Sequence, residues 1–236
     1  MTTGANKGLG FETARRLIAA GHTVYAAARD PENAERAAGE LGARPLALDV
    51  TDEASVTDAP ANPMGLARVH RDTEAALAAS GLPVALLRNG WYTENHTGAL
   101  RDAVARGVLA GSAGTGRIAF ASRAEPAEAA ARVLTRDGQA GTVYDLTGDT
   151  AWTLAEVAAE AAARTGAPVA YEELPPEAYR GLLTRVGLPA PAVELIVDSD
   201  RCIAQGAPEH STGDLGALLG RPTETLAAAV TRALEE

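Results

Sequence analysis

The chain has 236 residues, enough for one α/β domain of ordinary size or one with a smaller subdomain attached. Its formal charge of −10 lacks the concentrated basic face that nucleic acid or an anionic membrane requires, so an anionic ligand must be met by local cations. With no apolar run of about twenty residues, no basic-then-apolar leader and one cysteine, Cys202, we expect a cytoplasmic protein with no membrane span, disulfide or cysteine metal cluster.

The opening stretch Thr3-Gly4-Ala5-Asn6-Lys7-Gly8-Leu9-Gly10 reads as a glycine turn feeding a helix over 11–20, stopped by Gly21. Glycines spaced G-x-x-x-G-x-G let a diphosphate approach the backbone, and the free N–H groups of the helix's first turn favour its charge. A surface turn is the bland alternative. Only three residues precede Gly4, where a buried strand of about five or six is normal. The first strand is therefore expected to be missing or nearly so, the chain either starting upstream or being a truncated product.

A strand over 22–28 ends at Arg29, and Asp30-Pro31 have the form of an N-cap and a first helical residue. A helix to Leu41 follows, then a strand over 45–48 ending at Asp49-Val50, and Thr51-Asp52-Glu53 opens another helix. This β-turn-α-β-α-β order marks a parallel sheet with helices on both faces. Residues 57–63, TDAPANP, then have the composition of a loop where another helix and strand are expected. Beyond it a helix over 66–80 leads to a buried strand over 83–88, PVALLR, with Asn89-Gly90-Trp91-Tyr92 at its carboxyl end. That edge of an α/β sheet is where ligands bind.

Further expected elements are a helix over 93–106, a strand over 117–120, a helix over 126–136 and a strand over 142–146. Thr153 and Glu156 form a capping box that starts a helix to about 164, followed by a strand over 168–172. Helices follow over 177–186, 190–197, 213–219 and 223–234. The fold expected is α/β, a Rossmann-like parallel sheet that is incomplete, with a nucleotide-binding domain over 1–150 and a small, mostly helical substrate-side subdomain over 151–236.

Arg29 lies nineteen positions after Gly10, near the offset at which an acidic residue would take the ribose hydroxyl of NAD. A cation there suits a 2′-phosphate, and Lys7 adds a second charge, so NADP(H) is favoured over NAD(H). The alternative for Arg29 is a solvated arginine partly neutralised by Asp30. Asp49 is either an acceptor for the adenine amino group or a strand-ending turn residue. No His, Asp or Glu cluster has metal spacing, so no metal is expected.

Residues 1–56, with TTGANKGLGFETARRL, VYAAARD and LALDV, resemble the carbonyl-reductase branch of the short-chain dehydrogenase/reductase family. The resemblance implies that Gly4, Asn6, Lys7, Gly8, Leu9 and Gly10 hold the diphosphate, Arg29 the NADP phosphate, and Asp49 with Val50 the adenine. That family's Tyr-x-x-x-Lys pair is absent, because the only lysine is Lys7. Residues 62–236 resemble the NmrA-like, atypical branch and its NAD(P)H:quinone oxidoreductases, on PMGLARVHRDTEAAL, LLRNGWYTEN, IAFASRAEPAEAAARVL, YDLTGDTAWTLAEVA and RPTETLAAAV. The chain thus reads as a mosaic lacking the first strand and a central segment of the sheet.

The second resemblance implies hydride transfer from NADPH to a quinone or similar flat carbonyl, without a Tyr-Lys pair and with product protonation from solvent. It implies that Asn89, Gly90, Trp91, Tyr92 and Asn95 line the nicotinamide and quinone pocket. An aromatic pair offers a flat stacking surface, although Trp91 and Tyr92 also read as core or hinge aromatics. Tyr92 and His70 are the candidates nearest to catalysis. His70 either touches the cofactor ribose or is a helix-surface histidine. Rival readings are a catalytically silent NADP(H)-sensing regulator of NmrA type and a degenerate, inactive fragment. Strand edges left open by the missing segment point to a chain that is marginal, aggregation-prone or a homodimer.

Overall fold

The computed structural model describes residues 2–3, 7–28, 30–47, 65–207 and 210–235. The N-terminal part runs β1 (Thr2–Thr3), α1 (Gly8–Ala19), β2 (Tyr25–Ala28), α2 (Pro31–Leu41), β3 (Arg44–Ala47). The three strands are parallel in the order β1-β2-β3, with Thr2 opposite Ala26 and Tyr25 opposite Arg44. That order is one half of a doubly wound dinucleotide fold. The first strand is therefore present, as two residues. The loop expected over 57–63 lies outside the described residues.

Local chemistry sets these boundaries. Asp30 accepts from the Glu32 N–H at 3.0 Å and from the Asn33 side chain at 2.7 Å, capping α2, and Gly42 ends it at φ 70°. α1 buries Thr13, Ala14 and Leu17, and Leu17 and Ala14 cluster with Val24 and Ala131. Arg16 bridges from α1 to Glu128 at 3.3 Å.

The chain continues through α3 (Gly65–Ala79), β4 (Leu86–Asn89), α4 (Thr93–Thr97), α5 (Leu100–Arg106), β5 (Val108–Gly111), α6 (Ala124–Leu134) and β6 (Val143–Leu146). β4 pairs with β6 in parallel, from Leu86 opposite Val143 to Asn89 opposite Leu146. The single helix expected over 93–106 is two helices, parted at Gly98 and Ala99. β5 was not anticipated, since its four residues lie among glycines. The strand expected over 117–120 is reduced to one isolated bridge, Ile118 with Trp152, followed just beyond it by another between Ala121 and Tyr92. A Cβ at Gly148 would meet the Phe120 carbonyl oxygen, and one at Gly116 the Ile203 carbonyl. The backbone of this segment is shared among several neighbours: Ile118 pairs with Trp152 in both directions, the Ala119 carbonyl accepts from Gly148, and Ala121 bonds Trp91 and Thr93.

The C-terminal part is α7 (Leu154–Thr165), β7 (Ala170–Glu173), α8 (Pro176–Arg185), α9 (Ala190–Ala204), α10 (Asp214–Leu219) and α11 (Leu226–Glu235). Both halves of the Thr153–Glu156 capping box form. β7 pairs in parallel with β5, so the described strands make three small parallel sheets. The largest core cluster joins Leu100, Leu109, Ile118 and Phe120 to Leu154, Val157, Ile203 and Val230. It draws on both sides of residue 150, each large aliphatic side chain contributing about 1.5–3 kcal/mol. α9 runs past the expected end at 197 and buries Cys202.

Candidate functional site

Two stretches carry most of the residues singled out above, the turn into α1 and the segment leaving β4. At the first, Lys7 is exposed and precedes α1 in extended backbone, at φ −168° and ψ 170°, without a side-chain cap. Gly8 opens the helix at φ +59°, and no described residue lies within 4 Å of where a Cβ would stand. Glycine is needed there for its left-handed backbone. Leu9 and Gly10 complete a first turn that contains no acidic residue. Such an end presents unpaired N–H groups and a positive dipole to an anion. Gly4, Asn6, Arg29, Asp49 and Val50 lie outside the described residues.

The second is the segment leaving β4. Gly90 N–H donates to the Leu146 carbonyl at 3.0 Å, extending the pairing with β6. A Cβ on Gly90 would stand 2.8 Å from the Thr147 methyl and 3.2 Å from the Leu146 oxygen, so only glycine fits. The next residues are fixed from the other side. Ala121 N–H donates to the Trp91 carbonyl, and Thr93 N–H to the Ala121 carbonyl, each at 3.0 Å.

The two aromatic rings do not share one surface, because successive side chains of extended backbone point to opposite sides. Trp91 packs against the main core and meets His96 edge-on at 6.1 Å. His96 in turn lies 4.9 Å from Phe120. Burial pushes the His96 imidazole down to about 4, and its buried Nε2 has no hydrogen-bond partner among the described residues. Tyr92 instead stays by the exposed Asn89, whose side-chain amide donates to the Tyr92 hydroxyl at 3.1 Å.

Asn95 joins this group through a residue that sequence reasoning did not single out. Its Oδ1 accepts from the Arg123 guanidinium at 2.6 Å, while Arg123 Cζ sits 5.2 Å from the Tyr92 ring centroid. The Arg123 backbone N–H donates to both Glu94 oxygens at 3.1 Å. Arg123 stands inside IAFASRAEP, so the motif was visible and the side chain's direction was not. A small cleft beyond Thr93 is lined by Phe120, Trp152, Glu224, Leu226 and Ala229.

Asn89, Gly90, Trp91, Tyr92 and Asn95 thus form one local unit. His70 is exposed on α3, one turn before Glu74, whose carboxylate takes the Arg88 guanidinium at 2.8 and 2.7 Å. No hydrogen bond joins His70 to Tyr92 among the described residues.

A separate lock holds the loop after β5. Ser112 N–H donates to Asp200 at 2.7 Å, Ala113 N–H to the Tyr171 hydroxyl at 3.2 Å, and Gly114 N–H to Glu173 at 2.9 Å. Burial raises the Asp200 carboxyl to about 6, against the opposing effect of the Ser112 N–H. Among the described residues no three His, Cys, Asp or Glu are grouped to hold a metal, and no helix is long and apolar enough to cross a membrane.

The family described as short chain dehydrogenase matches residues 1–63, ending close to where the two resemblances meet. Quinone oxidoreductase 2 of Escherichia coli (strain K12) is 43% identical over 176 residues, 75% of this chain. The match spans 62% of that curated relative's length. The crystal structure of the NADPH-dependent quinone oxidoreductase QOR2 from Escherichia coli superposes end to end at a TM-score of 0.87. It is 34% identical and covers 98% of each chain. The triphenylmethane reductase of Citrobacter sp. superposes at 0.89 with 24% identity, covering 99% of this chain and 98% of its own, and shares the fold.

Proposed function

From the premise that the chain belongs to the family of the quinone oxidoreductase QOR2 of Escherichia coli, we propose that it is an NADPH-dependent oxidoreductase that reduces quinones or similar flat carbonyl acceptors. The observation that carries the reading is the unit Asn89–Asn95, fixed at the carboxyl ends of β4 and β6 with polar donors around the Tyr92 ring.

The N-terminus of α1 fits a dinucleotide. The left-handed Gly8, with no described residue against it, a first turn without an acidic residue and the exposed Lys7 all suit a diphosphate. In this reading Gly4, Asn6, Lys7, Gly8, Leu9 and Gly10 hold it, Arg29 takes the 2′-phosphate, and Asp49 with Val50 faces the adenine. Asp30 directs its carboxylate to the Glu32 N–H and the Asn33 amide at the start of α2. NADP(H) is accordingly preferred to NAD(H).

When bound, the reduced nicotinamide supplies a hydride. Tyr92 orients the acceptor ring, and Asn95 donates to an acceptor oxygen, its own oxygen being turned to Arg123. Trp91 and the neutral His96 keep water from the base of the site. Solvent protonates the product oxygen, and His70 has the ribose as its partner. Residues 1–150 hold the cofactor and 151–236 close the acceptor side. A homodimer in the cytoplasm belongs to the same reading, since among the described residues β4 has a strand partner only in β6.

Steady-state oxidation of NADPH with para-benzoquinone tests the proposal. Turnover supports it. Tight NADPH binding without turnover points to a silent sensor, and no binding at all ends it.

A further inference from the structure

Resting on the quinone reading, we propose that Arg123 is the anion-recognition group of the acceptor site, so that the preferred acceptors are flat quinones carrying a carboxylate or sulfonate on the ring system. Ten other arginines of the described residues lie within 4.0 Å of a carboxylate. The Arg123 guanidinium, like those of Arg36, Arg101 and Arg136, has none among the described residues, and it differs from these in standing over the Tyr92 ring. Its neighbour Glu94 is taken by the Arg123 backbone N–H and by Arg232, at 3.5 Å. The guanidinium has five N–H donors, and the contact with Asn95 engages it on one edge.

The polar groups around it are donors too. With Oδ1 held by Arg123, Asn95 presents its NH₂ to a ligand. The Tyr92 hydroxyl already accepts from Asn89 and is left to donate. A site of donors around an aromatic ring selects a flat ligand rich in acceptor oxygens. In a chain of charge −10 the long-range field repels anions, so a cation without a carboxylate partner at this position recovers attraction locally. One face of Tyr92 is covered by the guanidinium. The ligand ring has the guanidinium plane or the opposite face to stack on, which sets its anionic group beside Arg123.

The bland alternative is that Arg123 only holds Asn95. Equilibrium binding by quenching of tryptophan fluorescence decides between them, with a naphthoquinone sulfonate and unsubstituted naphthoquinone as probes. Arg123→Gln should weaken the sulfonate about tenfold or more and the neutral quinone less than about threefold. Arg123→Lys should restore part of the difference, and added salt should erase it. Equal losses for the two probes, or no loss, would overturn the proposal alone. Failure of both probes to bind the unaltered protein would overturn the quinone reading and this proposal with it.

Discussion

The Asn89 side-chain amide donates to the Tyr92 hydroxyl at 3.1 Å, across the bend by which the chain leaves β4. This bond and the Arg123 guanidinium hold the Tyr92 ring from two sides. Tyr92→Ala should therefore raise the quinone KM about tenfold. Asn89→Ala, which leaves the ring but frees it, should raise KM by about two- to fivefold, the range of one neutral hydrogen bond. The NADPH Kd should stay nearly unchanged in both. A cofactor Kd that moves with KM would put Tyr92 on the cofactor side.

Gly90→Ala tests the close approach of β4 and β6. A Cβ would stand 2.8 Å from the Thr147 methyl, against the packed end of β6. We expect a loss of about 1–3 kcal/mol in urea unfolding. Thr147→Ser in the same chain should recover part of it by removing that methyl. No loss in the single variant would show that the strand ends separate easily.

Elements announced by a cap or a stop were legible in the sequence. α2, with Asp30 before it and Gly42 after it, falls where its caps put it, and so does α7 with its Thr153–Glu156 box. The buried strand expected over 83–88 was legible only in part: β4 spans Leu86–Asn89, and its Arg88 and Asn89 are exposed. β5 was not legible, because Val108–Gly111 is four residues among glycines and acquires strand character only from β7, over fifty residues on. The acceptor-side unit could be read as a contiguous motif. That Trp91 turns inward to His96 while Tyr92 turns out to Arg123 could not, since it depends on the Ala121 bridge and on tertiary partners from 118–123.

Asp200 and His96 impose opposite pH dependences on stability. Burial raises Asp200 to about 6 from an ordinary 3.8, so its contribution is fully present below about 4 and lost as pH rises through 6. Burial lowers His96 to about 4 from 6.5, so its contribution is present above 6.5 and lost as pH falls towards 4. Each amounts to roughly 3 kcal/mol, and between pH 4 and 6 the two nearly offset. Asp200→Asn keeps an oxygen for the Ser112 N–H. It should be more stable than the parent at pH 7 by about 1–3 kcal/mol and lose stability faster on acidification. His96→Phe should instead gain stability as the pH falls from 6.5 to 4. Urea titrations at stepped pH that give parallel curves for all three proteins would contradict this.

Arg29→Ala should shrink the preference for NADPH over NADH by about tenfold or more, the loss of a charge-assisted bond to a phosphate. Binding of both cofactors, followed by nicotinamide fluorescence, checks it. Equal affinities for the two in the unaltered protein would end the assignment.

The most direct test of the central claim is the anaerobic stoichiometry of NADPH consumed to hydroquinone formed with para-benzoquinone. A hydride carries two electrons, so the account predicts one hydroquinone per NADPH, with the same ratio in air and no oxygen uptake. NADPH left unconsumed, or consumption coupled to oxygen uptake rather than to hydroquinone, would contradict it.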